Sequence, residues 1–172
     1  NLEDQQDFFM ILVEKDLYED RSLKKLIKEY AENAANAVKA NAQIVSIQQD
    51  ESPLDIYEGL ADAFFSKRDL KGVVIIGQVP IPVVKKGDRF WPSIYPYTDF
   101  IDPQYTWSHT DQKFVSTSIK ASNPEIWHGV IKSNKEAINE RIEEIEAYFV
   151  KNNLYHTGVI EYEPLTFIGD FT

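Results

Sequence analysis

Asp99 and Asp102, three residues apart, and Asp111 beyond them are the carboxylates best placed in the sequence to meet a hard cation through oxygen ligands. Calcium is the cofactor such a set would take. The spacing is not that of an EF-hand loop, and the alternative is a segment that simply packs on a sheet edge. The two leading carboxylates close the most unusual stretch of the chain, Phe90-Trp91-Pro92-Ser93-Ile94-Tyr95-Pro96-Tyr97-Thr98-Asp99-Phe100-Ile101-Asp102-Pro103, in which aromatics alternate with prolines. Trp91, Tyr95, Tyr97 and Trp107 are therefore candidate substrate- or partner-binding residues. They could line a groove or pack against a second domain.

The three histidines stand in unrelated settings. His109 follows Trp107 in the aromatic segment, His128 precedes Gly129 inside an expected strand, and His156 is expected to follow a helix end. None pairs with another at helical metal-site spacing, so zinc has no local support. No Gly-x-Ser-x-Gly elbow, Gly-x-Gly-x-x-Gly turn or phosphate loop is present. The chain has no cysteine, which removes disulfides and thiolate chemistry together. No residue of this sequence is assigned a catalytic role. With 18 Lys and Arg against 28 Asp and Glu, the net charge of −10 repels a phosphate backbone, so nucleic acid is not an expected partner. Apolar runs such as Val73 to Ile76 fall far short of the roughly 20 residues of a membrane-crossing helix. The start at Asn1, without an apolar leader, reads as a mature, processed or trimmed chain.

These residues must be positioned by an α/β framework. Phe8 to Val13 is an unbroken apolar run, the pattern of a strand buried on both faces. Leu23, Leu26, Ile27, Tyr30, Ala34 and Val38 recur at helical spacing, and Gln43 to Ile47 is a short β-branched strand, which together predict a βαβ unit. Ser52-Pro53, with Asp55 in the capping-box place, opens a second helix through Phe65. Val73-Val74-Ile75-Ile76, between Gly72 and Gly77, predicts the centre of the sheet. Residues 78–118 read as a long ordered insertion, rich in Pro and aromatics, with short strands. A strand over Glu125 to Ile131, a helix capped by Ser133 and Glu136 and ended by Asn152-Asn153, and a last strand at Thr166 to Gly169 complete the pattern. The expectation is a three-layer sandwich with a mostly parallel sheet. Its 172 residues form a single α/β domain or the N-terminal part of a larger one.

Three segments, in this order, resemble the gingipain and clostripain group of caspase-fold cysteine peptidases. Leu70 to Pro82 looks like that family's central strand and its continuation, with Gln78 where an acid is common. Phe90 to Asp99 is similar to the loop that follows, with Ile94 in place of an acid. Asn123 to Ile131 and the helix behind it are similar to a later strand and helix, with Val130 in place of an arginine. The resemblance implies a partial caspase-like fold and hydrolysis of peptide bonds in a peptide or protein substrate. It implies a catalytic His and Cys on later strands, outside this chain, so that the partner is the C-terminal remainder or a companion chain. His128 does not take the catalytic role. The family's habits imply proteolytic processing and an extracellular or cell-surface location. The contrasting expectation is a non-catalytic cell-surface interaction or structural module that uses the Pro and aromatic segment as its contact surface. A hydrolase using a metal on Asp99, Asp102 and Asp111 is a third reading.

Overall fold

All seven residues of Phe8–Glu14 are buried, and they form strand β1. A computed structural model describes residues 7–66, 69–116 and 123–159. After β1 come helices α1 (Lys15–Glu19) and α2 (Arg21–Val38), then strand β2 (Asn41–Ile47). The Asp20 carboxylate accepts a hydrogen bond from the Leu23 amide at 2.8 Å and so caps α2. Helix α3 (Pro53–Phe65) begins as its sequence predicts, with the Ser52 hydroxyl accepting from the Leu54 amide at 3.1 Å and Asp55 in the first turn. Strand β3 (Leu70–Ile76) follows, then β4 (Val83–Lys86), β5 (Arg89–Pro92), β6 (Tyr105–Ser108), β7 (Lys113–Ser116), β8 (Trp127–Ile131) and helix α4 (Ile138–His156).

Strands β2-β1-β3-β8 form a sheet in that order, with every pairing parallel. Alternation along the strands divides the core in two. Phe8, Met10 and Leu12 of β1, with Val73 and Ile75 of β3, pack against Ile56 and Leu60 of α3. Phe9, Ile11, Val13, Val74 and Ile76 pack against Leu23 and Ile27 of α2 and Ile145 and Phe149 of α4. The outcome is helix, sheet, helix, with β1 and β3 at the centre as expected for continuous apolar runs.

Residues 78–116, the described part of the expected insertion, are more ordered than a loop with isolated short strands. Their four strands make a sheet of their own, β5-β4-β7-β6, antiparallel except for the β4–β7 pair. Val84, Tyr105 and Phe114 form its core, with Trp91, Tyr95 and Trp107 packed on them.

Two local expectations are corrected. Helix α4 starts at Ile138 with Ala137 at its N-cap, and no side chain caps it. Ser133 has another partner: its hydroxyl donates to the Glu144 carboxylate and accepts from the Lys135 amide, so the Ser133–Glu136 box does not form. The helix also runs through Asn152-Asn153, because Asn153 is buried with its amide on the Leu26 carbonyl at 3.2 Å. His156 is thus the last residue of the helix rather than one beyond it. The strand expected at Thr166 to Gly169 lies outside the described residues.

Candidate functional site

In an open parallel sheet, a crevice forms at the carboxyl ends of adjacent strands whose following connections leave on opposite faces. Strands β1 and β3 meet that condition. The chain after β1 enters α2 on one face, and the chain after β3 sends Val79, Tyr97 and Phe100 into the core on the other. Glu14 ends β1 at this point with no exposed surface. Its Oε1 accepts from Arg141 Nη2 and from Gln49 Nε2, each at 2.6 Å, and its Oε2 accepts from the Gln78 amide at 2.7 Å. Arg141, itself buried on α4, donates from Nη1 to the Glu136 carbonyl at 2.6 Å.

The backbone is shaped for this convergence. Gly77 has φ of +82°, and a Cβ there would run into the Glu14 and Leu17 side chains. Its amide donates to the Ile131 carbonyl at 2.9 Å, tying β3 to β8 where the strands end. Beside this knot lies an open polar cleft of about 220 Å³ lined by Lys15, Asp16, Gln48, Gln49 and Asp50. Both Glu14 oxygens are engaged, so its carboxylate joins β1, β3, α4 and the chain after β2 rather than facing a substrate. What the arrangement provides is a rigid floor at the end of the sheet where a parallel α/β fold places chemistry.

Sequence reasoning passed over Glu14 and Arg141, although both carried a signal. Glu14 closes an otherwise apolar strand, and Arg141 occupies the helical row of Ile145, Phe149 and Asn153, all buried. A charge at a core position of a helix calls for a buried counter-charge.

The aromatic candidates divide between two cores. Tyr97 is fully buried, with its hydroxyl donating to the Pro80 carbonyl at 2.9 Å. Burial, and secondarily the Glu51 charge, pushes its phenol well above the usual tyrosine range. Tyr97 is therefore part of the main core, not a contact surface. Trp91, Tyr95 and Trp107 line the second sheet's core; the Trp107 ring meets Phe114 edge-on at 5.1 Å and the Tyr95 ring meets Tyr105 at 6.1 Å.

The three aspartates serve separate local purposes. Buried Asp99 accepts at Oδ2 from the Gln104 amide at 2.9 Å, closing the turn that holds Asp102 at φ of +51°. Asp111 takes Lys85 Nζ at 2.9 Å and the Ser108 hydroxyl at 3.1 Å. Those hydrogen bonds, Lys85 first, hold its carboxyl below the usual range. Among the described residues no three His, Asp or Glu side chains come together as a metal-holding group. His109, His128 and His156 are exposed and lie on different elements. Among the described residues no helix is long and apolar enough to cross a membrane.

Several exposed apolar residues gather at the β8 edge of the sheet. Strand β8 pairs with β3 and, among the described residues, with no strand beyond. Trp127 is 43% and Val130 49% exposed, and Tyr148, Leu154 and Tyr155 of α4 are exposed as well. A cleft of about 290 Å³ lined by Val130, Ile131, Lys132, Glu144, Ile145 and Tyr148 runs between strand and helix. A second, of about 430 Å³, opens beside Trp127, Lys71 and Val38.

No protein-family model, curated protein or solved structure matches this chain.

Proposed function

We propose that this chain is the N-terminal, sheet-bearing part of a gingipain-like or clostripain-like cysteine peptidase, whose catalytic His and Cys are supplied from outside it. The observation that carries the reading is the bare flank of β8 and α4. Parallel sheets are ordinarily covered on both faces, yet here an edge strand and its neighbouring helix leave Trp127, Val130 and Tyr148 open to water. Further polypeptide packed on that flank would extend the layered core. The order of the three resembling segments supports the same reading, since they fall on β3 and its continuation, on β5 and the buried turn after it, and on β8 with α4. In this reading the Glu14–Arg141 knot fixes the carboxyl ends of β1 and β3, and the rest of the polypeptide adds the reacting groups.

The experiment treats native material with a fluorescent cysteine-directed alkylating agent and follows peptidase activity. The expected result is loss of activity together with a labelled polypeptide, either a companion or a longer form, that co-purifies with residues 1–172. A lone unlabelled 172-residue species without peptidase activity would overturn the proposal. Glu substitution of Val130 and Tyr148, both exposed, should release a companion while leaving the circular dichroism of the chain unchanged.

A second reading, a non-catalytic interaction module, is favoured by one feature: residues 83–116 contain a separate sheet with an exposed aromatic, Phe90, on its surface.

A further inference from the structure

The second sheet carries charge opposite to that of the molecule. Lys85, Lys86, Arg89 and Lys113 face only Asp88 and Asp111 within its two hairpins, in a chain of net charge −10. Register sorts these residues. Lys85 stands across from Phe90, while Val84 and Trp91, the next pair along, turn inward onto Phe114. Alternation therefore puts Lys85, Phe90 and Lys113 together on the outer face.

Phe90 is 54% exposed, and the ammonium groups of Lys85 and Lys113 lie 5.7 and 5.9 Å from its ring centre. Lys85 is paired with Asp111. Lys86 and Arg89, exposed at the turn around Gly87, have no ion-pair partner among the described residues. Among the described residues, strand β5, which bears Arg89 and Phe90, is an edge of its sheet.

We propose that this edge docks an acidic polypeptide segment, extended as a strand beside β5. Register pairs Lys86 with Arg89 on the face opposite Phe90, so carboxylates of the segment meet Lys86 and Arg89 on one face and an aromatic or aliphatic side chain lies on Phe90 on the other. The chemistry selects for both features. Exposed cations attract any anion, but an exposed ring contributes only when the partner brings apolar surface to it. An extended chain beside β5 presents successive side chains to opposite faces, which matches Lys86 and Arg89 on one face and Phe90 on the other. The inference goes beyond the peptidase reading and does not depend on it.

The test uses the full 172-residue chain and a fluorescein-labelled peptide of alternating glutamate and tyrosine, followed by fluorescence anisotropy at about 20 mM and about 200 mM salt. Saturable binding is expected, weaker at the higher salt. The double variant Lys86→Glu/Arg89→Glu should weaken it about tenfold or more, and Phe90→Ala should weaken it separately. A peptide of alternating lysine and tyrosine should bind far less. All three substituted side chains are exposed, so circular dichroism should show both variants folded. Equal binding by the parent chain and the double variant would overturn the proposal, as would no binding at low salt. Loss in the double variant with Phe90→Ala unaffected, and displacement by heparin as effective as by the peptide, would also overturn it, since the face would then attract any polyanion.

Discussion

A buried charge is held in place only by what pairs with it, and Glu14 shows how strongly one residue can be committed. Three hydrogen bonds reach its two oxygens, from Arg141, Gln49 and the Gln78 amide. Removing Arg141 would leave a carboxylate stranded with no exposed surface. Arg141→Ala should therefore cost about 3–5 kcal/mol of stability, measured by urea unfolding. Replacing both partners with apolar residues of similar volume, as in Glu14→Leu/Arg141→Met, should cost clearly less, because no unpaired charge remains. A double variant as unstable as Arg141→Ala would count against the ion pair as the cause.

At the scale of elements, the seam between β3 and β8 is set by one glycine and one tryptophan. Gly72 and Trp127 are register partners, and a Cβ on Gly72 would run into the Trp127 indole, which also meets the Phe9 ring at 5.4 Å. Strand β8 can thus seat a large ring directly over the neighbouring backbone. Gly72→Ala should destabilise the chain by about 1–3 kcal/mol through overpacking. In a Trp127→Ala background the same change should cost less than about 1 kcal/mol, because the space is open and alanine suits a strand better than glycine. A double-mutant cycle reads this coupling; additive effects would mean that the ring yields to the methyl group. The helices show how local signals compete. Ser52 caps α3 as its sequence announces, whereas Ser133, in an equally suggestive Ser-x-x-Glu setting, bonds Glu144 on a later turn of α4. A cap is a contest between hydrogen-bond partners, and partners distant in sequence enter it only once the chain has folded.

For the whole molecule, burial of phenols predicts an alkaline limit. Tyr97, Tyr57 and Tyr30 all have pKa values raised above 10.0, chiefly by burial. A proton held more tightly in the folded state than in the unfolded one contributes stability that is complete below pH 10 and falls as the pH rises further. Phenolate absorbance should therefore show exposed tyrosines titrating first and a late step that coincides with unfolding. Tyr97→Phe should shrink that late step, at a cost of about 1 kcal/mol for the lost hydrogen bond to Pro80. A Tyr97 phenolate forming reversibly in the folded chain at the ordinary tyrosine pH would contradict its burial.

The sequence by itself determined the layered α/β plan. Runs such as Phe8 to Val13 and Val73 to Ile76 are apolar at every position, which only a strand buried on both faces tolerates, and the helical rows of α2 and α3 need nothing beyond local periodicity. It also determined that no cysteine in this chain can act as a nucleophile. Tertiary structure decided what composition left open. Tyr97 and Phe90 are similar aromatics seven residues apart, yet one ends in the main core and the other on the surface of a second sheet. The three aspartates could be read as one site until the fold gave Asp99 and Asp111 separate partners and left Asp102 exposed on a turn. Glu14 and Arg141, 127 residues apart, became neighbours only when β1 and α4 packed together. Periodicity is a property of neighbours along the chain, whereas a site is a meeting of residues distant along it, and only the packed molecule brings those together.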